Sequence, residues 1–387
     1  MKFTKDNFLK YATIILFLGF IFIFPIINIV TPDKKVSQVE NKILAQLPKL
    51  SMDSISNGSF MKNFDKYSAD QFPFRTDFIE IKNSYSYAIG NREFRDIYIG
   101  KDGRLMEKFI FNKDIIDKNI SQVTIFARDL YNRVGVSSRL MIIPTSIAFY
   151  GDTLPKYAIY DDEKDVLGYI ENLIVSNKEV NNNIDKSDYD TYIDFYTPYN
   201  ILNNNKDDYI YFNTDHHWTQ LGAYLAYKDM YHMDIKNTPT KVAEGFYGSY
   251  YSKALLPQIK DDNIYAYKDF DDFKVSIDLD KSFDTLYDDS KLDGKNKYQY
   301  FLHGDPAIAV INGNPKISKE ILIFKDSFAH NFVPFLTSNY SKIHIVDPRY
   351  YNMDVYKYLE ENSRISEVLF INNLETINSS EFYKKFA

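Results

Sequence analysis

The sequence contains no cysteine. Disulfides, cysteine-ligated zinc and thiol catalysis are excluded together, so any side-chain nucleophile must be oxygen or nitrogen. Tryptophan occurs once and histidine six times, which makes any place where the two meet conspicuous. Basic blocks are missing beyond the first ten residues, and the formal net charge is -7. Nothing offers the positive footprint that a polyanion needs, and nucleic acid is set aside as a partner. No internal repeat or low-complexity tract is apparent. What the chain has in quantity is aromatic rings, 33 Tyr and 30 Phe among 387 residues, suited to a β-rich core or to sugar-facing surfaces. That length is enough to bury a sizeable core.

Lys2, Lys5 and Lys10 precede "YATIILFLGFIFIFPIINIV", an uncharged run from Tyr11 to Val30. It is close to the roughly 20 residues that cross a bilayer. A cleaved signal peptide would need a shorter apolar run and a small-x-small exit, whereas this one ends in Ile, Asn and Val. The expectation is an uncleaved signal-anchor over residues 1–31, its cationic end in the cytoplasm and the rest of the chain outside.

Residues 32–58 read as a polar linker, and residues 59–387 as one extracytoplasmic domain. "SFMKNFDKYSADQFPFRTDFIEIKNSYSYAIG" has helical spacing broken by Phe-Pro-Phe and predicts two helices bent near Pro73. Asp102-Gly103 predicts a hairpin turn. "DKNISQVTIFARDLYNRVG" predicts a helix stopped at Gly135. "SSRLMIIPTSIAFYG" reads as a buried strand, "DVLGYIENLIVSN" as a helix and "DTYIDFYTPYN" as a strand. Strand, helix and strand in this order argue for a parallel sheet. Residues 245–296 are Tyr- and Asp-rich without a clear helix and predict a β-rich insertion or rim. Regular alternation returns with "YQYFLHGDPAIAVING", "KEILIFKDSFAHNFVPFL", "KIHIVDPRYY" and "EVLFINN".

Two stretches carry chemistry. In "YFNTDHHWTQLGAYLAY" an acid, two adjacent histidines and the only tryptophan stand together ahead of a helical pattern. In "KEILIFKDSFAHNFVPFL" a short apolar strand, Ile321 to Phe324, runs into Lys325-Asp326-Ser327 and then helical spacing from Phe328. A serine between a strand and a helix start has unpaired backbone N–H groups and the positive end of a dipole beside it, both suited to a developing oxyanion. It needs a base. His217 fits, with Asp215 two residues earlier to fix its tautomer and stabilise the imidazolium.

Each feature alone has a plainer reading. A serine before a helix is more often only an N-cap, and a histidine among aromatics is more often packing. Their coincidence in one exported chain favours the catalytic reading. His216 is expected to supply a supporting hydrogen bond, and Trp218 to anchor its loop rather than stack on a sugar. A metal held by Asp215, His216 and His217 is disfavoured, because successive side chains of an extended segment alternate in direction. No cofactor is expected.

"TDHHWT" and "KDSFA", with the leading anchor, "ENKILAQLP" and "FDKYSADQFPFR", resemble the DHHW proteins. Those are related to the alginate O-acetyltransferases, SGNH-hydrolase-like acyltransferases of bacterial surface polysaccharides. The resemblance runs from about Glu40 to "DPRYY" and weakens in the Tyr/Asp-rich stretch. It implies a flavodoxin-like three-layer α/β/α sandwich with the site at the carboxyl ends of the parallel strands. Carried over by position, Ser327 is the nucleophile, His217 the base and Asp215 its partner. Relatives tend to carry Lys after the "PT" of an early strand, where this chain has Ser146, which puts substrate contacts at that edge in doubt. For the oxyanion or substrate, the Ser327 N–H, Gly304, Asn372, Asn373 and Arg349 are the candidates, with Trp218 beside them as the ring that could stack on a sugar.

Two functions follow. The first is a membrane-anchored O-acetyltransferase or acetylesterase working on a cell-surface polysaccharide through an acetyl-serine, with a membrane-bound O-acyltransferase as the donor-side partner implied by the resemblance. The second is a non-catalytic, membrane-tethered glycan-binding or scaffold protein of an envelope polysaccharide complex. A metal-dependent esterase is a weaker third.

Overall fold

Residues 5–180, 192–270 and 272–386 are described by the computed structural model of the chain. They divide into two compact units, Met1–Phe94 with Ser252–Gln258, and Arg95–Tyr251 with Ile259–Ala387.

The first unit opens with a helix over Lys5–Val30. Its segment Lys10–Val30, 21 residues with none of them buried, is long and apolar enough to cross a membrane. The stretch expected as a bare linker carries local structure: Val36–Ser37 pairs with Lys42–Ile43, and Ser51 caps a short helix over Met52–Ser56. The buried Asp70 carboxylate accepts from Lys42 Nζ at 2.5 Å and from the Ala45 N–H at 3.0 Å, tying this stretch to the next helix. Two helices then follow as expected, Ser59–Asp70 and Arg75–Ala88. Pro73 disfavours a helical residue before it, and Phe74 adopts a left-handed φ of 59° at the start of the second helix. Asn83 on that helix donates to the Ala254 carbonyl at 2.7 Å.

The second unit is mixed α/β around a sheet of eight strands. In spatial order they are Lys281–Phe283, Val275–Ile277, Ile308–Asn312, Lys342–Val346, Glu320–Lys325, Ile365–Asn373, Ser137–Ile143 and Ile193–Tyr196. The last five are mutually parallel, in a register that lines up Val346, Phe324, Phe370, Leu140 and Phe195. All six residues of Glu320–Lys325 are buried, as the continuous apolar run requires of a strand covered on both faces. The helix Lys113–Val134 packs on the sheet, with Ile116, Ile120, Val123 and Ala127 buried at helical spacing. Asn112 caps its first turn, and Gly135, at φ 70°, ends it where the sequence placed the stop.

Several elements depart from expectation. The strand beginning at Ser137 stops at Ile143, because Pro144 cannot donate to the ladder, and Ile147–Tyr150 turns into a short helix instead. "DTYIDFYTPYN" supplies the strand Ile193–Tyr196, while its first two residues lie outside the described ones. The Tyr/Asp-rich stretch supplies short strands at the rim of the sheet and beside it. Val275–Ile277 and Lys281–Phe283 extend the main sheet antiparallel to Ile308–Asn312, and Asp262–Ala266 pairs separately with Thr240–Phe246. Asp102-Gly103 does turn a hairpin, joining Ile97–Ile99 to Leu105–Glu107 with Gly103 at φ 85°.

Candidate active site

The loop carrying the histidines is held from below by one buried carboxylate. Asp262 accepts from the Asn213 N–H at 2.9 Å, the Thr214 N–H at 2.7 Å, the Thr214 hydroxyl at 2.6 Å and the Tyr209 hydroxyl at 2.6 Å. The loop closes by a bridge between Tyr211 and Trp218, and Thr219 then caps the helix Gln220–Tyr231. So fixed, Asp215 turns one oxygen to both the backbone N–H and the ring Nδ1 of His217, at 3.0 and 2.6 Å. Its other oxygen accepts from the Ser249 N–H at 2.7 Å. That approach needs Gly248: a Cβ there would lie 2.3 Å from the Asp215 Oδ2.

Ser327 comes from the opposite side of the site, two residues beyond the strand Glu320–Lys325 and at the carboxyl end of the parallel strands. The expected helix after it is a pair of 3-10 turns, Ser327–Asn331 and Val333–Ser338. Pro334 lies near the start of the second turn, and a proline there lacks the N–H that a continuous helix would use. Asp326 caps the first turn by accepting from the Phe328 N–H at 2.9 Å, and its other oxygen accepts from the Asn373 N–H at 2.7 Å. The serine is thus pinned to the neighbouring strand.

Across the sequence gap, His217 Nε2 lies 2.8 Å from Ser327 Oγ. With Nδ1–H given to Asp215, the Nε2 lone pair faces the serine hydroxyl. Tyr298 lies flat on the imidazole, ring centroids 3.6 Å apart and planes 9° from parallel, and its hydroxyl donates to the Ser327 carbonyl at 2.9 Å. Trp218 is fully buried and donates its Nε1–H to the Phe328 carbonyl at 2.9 Å, tying the histidine loop to the serine turn. It anchors, and presents no face to a sugar.

His216 places Nδ1 2.7 Å from the Ser249 hydroxyl and 3.4 Å from the Asp215 carboxylate. Burial lowers its pKa, but the Asp215 carboxylate outweighs this and raises it above the ordinary histidine value. His217 moves the other way. Burial, then the neighbouring His216, lower its pKa to about 4 against the pull of Asp215. Burial opposes ionisation of Asp215, yet the two imidazoles hold its carboxyl well below the usual range. His217 is therefore neutral at neutral pH, which leaves its Nε2 lone pair able to take a proton.

The expected divergence of Asp215, His216 and His217 does not occur. Their potential ligand atoms lie within 4.8 Å of one another, because the segment is a tight loop rather than extended. A cation there would have to displace the bonds from His217 Nδ1 to Asp215 and between His216 Nδ1 and Ser249.

Of the other expected contacts, Gly304 donates its N–H to the Phe301 carbonyl at 3.3 Å and has none left for an oxyanion. Asn372 is buried, accepting from the Tyr383 hydroxyl and facing Asp326 at 3.5 Å. Asn373 donates its side-chain amide to the Ile143 carbonyl at 3.1 Å. Arg349 forms a two-point pair with Asp347, at 2.9 and 2.7 Å, and Lys325 Nζ reaches the same carboxylate at 3.3 Å. The Ser327 N–H, first in its turn, has no acceptor within that turn. Ser146 is fully buried. Ser249, Gly248, Asp262 and Tyr298 were not legible beforehand: no periodicity marks them, and one tyrosine among 33 carries no signal.

The sequence model of the DHHW protein family matches residues 91–346. The chain belongs to the DHHW family. Among solved structures, a DHHW protein from Eubacterium siraeum superposes with a TM-score of 0.61 at 21% identity, over 76% of this chain and 95% of that one. Bacillus cereus PatB1 gives 0.54 at 18% identity, over 74% of this chain and 98% of that one. A PatB1 structure with a sulfonyl adduct gives 0.54 at 19%, over 74% and 96%. These likenesses establish a shared fold for this DHHW protein. No curated protein sequence matches it.

Proposed function

We propose that this DHHW protein is a membrane-anchored O-acetyltransferase or acetylesterase that acts on a cell-surface polysaccharide through an acetyl-Ser327 intermediate. The 2.8 Å contact between His217 Nε2 and Ser327 Oγ, with Asp215 behind the ring, carries the reading. His217 takes the Ser327 proton as Oγ attacks the ester carbonyl of the donor. The tetrahedral oxyanion meets the Ser327 N–H, and the donor alcohol leaves with the proton held on Nε2. A sugar hydroxyl or water then gives its proton to Nε2 and attacks the acetyl-serine, restoring Ser327. Asp215 keeps the proton on Nδ1 and stabilises the imidazolium throughout.

The polysaccharide substrate is supported by family resemblance alone, as is a membrane-bound O-acyltransferase that would hand over the acetyl group. The same resemblance supports a three-layer sandwich around the sheet, while the uncharged run behind Lys2, Lys5 and Lys10 supports an anchor over residues 1–31 and an extracytoplasmic domain over 59–387.

The test is hydrolysis of p-nitrophenyl acetate by the full chain. Ser327→Ala should lower kcat by about 10³-fold or more with an unchanged melting temperature, and an acetyl group should be trapped on Ser327 by mass spectrometry at low pH. A chelator should leave the rate unchanged. Rates equal to the uncatalysed background for both the wild type and Ser327→Ala would leave the glycan-binding scaffold, and equal rates that a chelator abolishes would leave the metal-dependent esterase.

A further inference from the structure

We infer that the bend Phe72-Pro73-Phe74 and the helix after it are embedded in the same leaflet from which the anchoring helix emerges, so that the first unit holds the membrane at two places. The argument starts from a register of rings. Phe72 stacks on Phe24 of the anchor, centroids 5.4 Å apart and planes 7° from parallel, while Phe78 meets the same ring at 5.8 Å and Phe20 meets Phe72 at 6.3 Å. Phe24 is six residues before the end of the apolar segment at Val30, hence about 9 Å below its end. If Lys10–Val30 crosses a bilayer, the rings stacked on Phe24 lie at the depth of acyl chains rather than in water.

The helix that follows is built for that position. Phe74, Phe78, Ile81, Tyr85 and Ile89 recur at helical spacing along one stripe, and all are between 41% and 69% exposed. The opposite side is occupied, where Asn83 is buried against Ala254. A stripe of this length is costly in water. It begins in contact with the anchor and continues from it, which identifies its occupant as the lipid around that helix rather than a protein. An apolar groove of about 550 Å³ between the anchor and Ser68, Ala69 and Phe72 offers room for an acyl chain. Lys82 stands on the flank of the stripe, where a long cationic side chain reaches phosphate while its stem stays in the apolar layer. The left-handed φ of 59° at Phe74 fits the same reading: a bulky residue rarely accepts that conformation, and here it turns an exposed ring out of the bend.

The absence of cysteine makes the test clean. Single cysteines replacing Ile81, Tyr85 and, as an aqueous reference, Lys316 are labelled with a small fluorophore in the full chain, in nanodiscs whose lipids carry an acyl-chain nitroxide. Labels at residues 81 and 85 should be quenched several-fold by the nitroxide and protected from iodide, with the reverse at 316. Iodide quenching at 81 and 85 equal to that at 316 overturns the proposal, as does protection from both quenchers, which would mean a covering protein or a second copy. The unmodified chain gives an independent reading. Lipids bearing an acyl-chain diazirine should photolabel the 72–89 peptide, whereas labelling confined to residues 10–30 also overturns the proposal.

Discussion

At His217, burial and the adjacent His216 together set the pH range in which the proposed reaction can run. A base acts only when unprotonated, and with a pKa lowered to about 4 this one is free at every pH above that. Ester hydrolysis should therefore stay flat from neutral pH down to about pH 5 and fall tenfold per unit below pH 4. His216→Asn removes the positive neighbour that makes protonation of His217 harder, so the acid limb should move to higher pH in a pH–rate profile. An unmoved limb would mean that the two rings are not electrostatically coupled. Gly248→Ala tests the support for the carboxylate. Its Cβ would collide with Asp215, displacing the acid that orients the ring, and a shift of that kind costs about 10²-fold in rate. At this scale the sequence was legible where a rare residue type marked the place, as with His217 and Trp218, or where an apolar strand broke into a polar turn, as at Ser327. It was silent where the role belongs to backbone, as at the Ser249 N–H, or to a common ring such as Tyr298.

The elements that deliver these groups are short. Lys297–Tyr300 is a single 3-10 turn whose contribution is one ring laid on His217 and one hydroxyl given to the serine carbonyl. The two contributions separate by mutation. Tyr298→Phe keeps the stack and should lower stability by about 1 kcal/mol with kcat nearly unchanged. Tyr298→Leu frees the imidazole to tilt and should lower kcat more than it raises KM, read from the saturation curve. Helix Lys113–Val134 and the strands with continuous apolar runs were readable because burial dictates their periodicity. The turns were not. A reading based on apolar spacing cannot tell the two 3-10 turns after Ser327 from an α-helix, since both bury the same Phe and Val residues. The three-residue strands Val275–Ile277 and Lys281–Phe283 are too short to carry a period of two.

On the scale of the whole second unit, one buried acid makes stability depend on pH. Glu163 lies beyond the end of the strand Ser137–Ile143, accepting from the Thr145 N–H at 2.7 Å and from the Thr145 hydroxyl. Burial raises its pKa to about 7 despite those bonds. A carboxyl whose folded pKa is raised favours the fold fully below its unfolded value, and that contribution is lost as pH rises through 7. Glu163→Gln should therefore gain on the wild type by up to about 3 kcal/mol between pH 5 and pH 8, measured by urea unfolding at both. A constant difference between the two would mean the carboxyl titrates normally.

The strand Ile365–Asn373 comes late in the chain yet lies mid-sheet, between Glu320–Lys325 and Ser137–Ile143. A ribosome delivers the half with the imidazole and the half with the nucleophile long before it delivers the piece that joins them. Until then each half keeps a bare edge, and the growing chain can neither close its sheet nor bring Asp326 under the Asn373 N–H that steadies the serine. The proposed chemistry thus waits on the last strand of the sheet to be made, and the parts of the site made earlier stay inert until it slots between them.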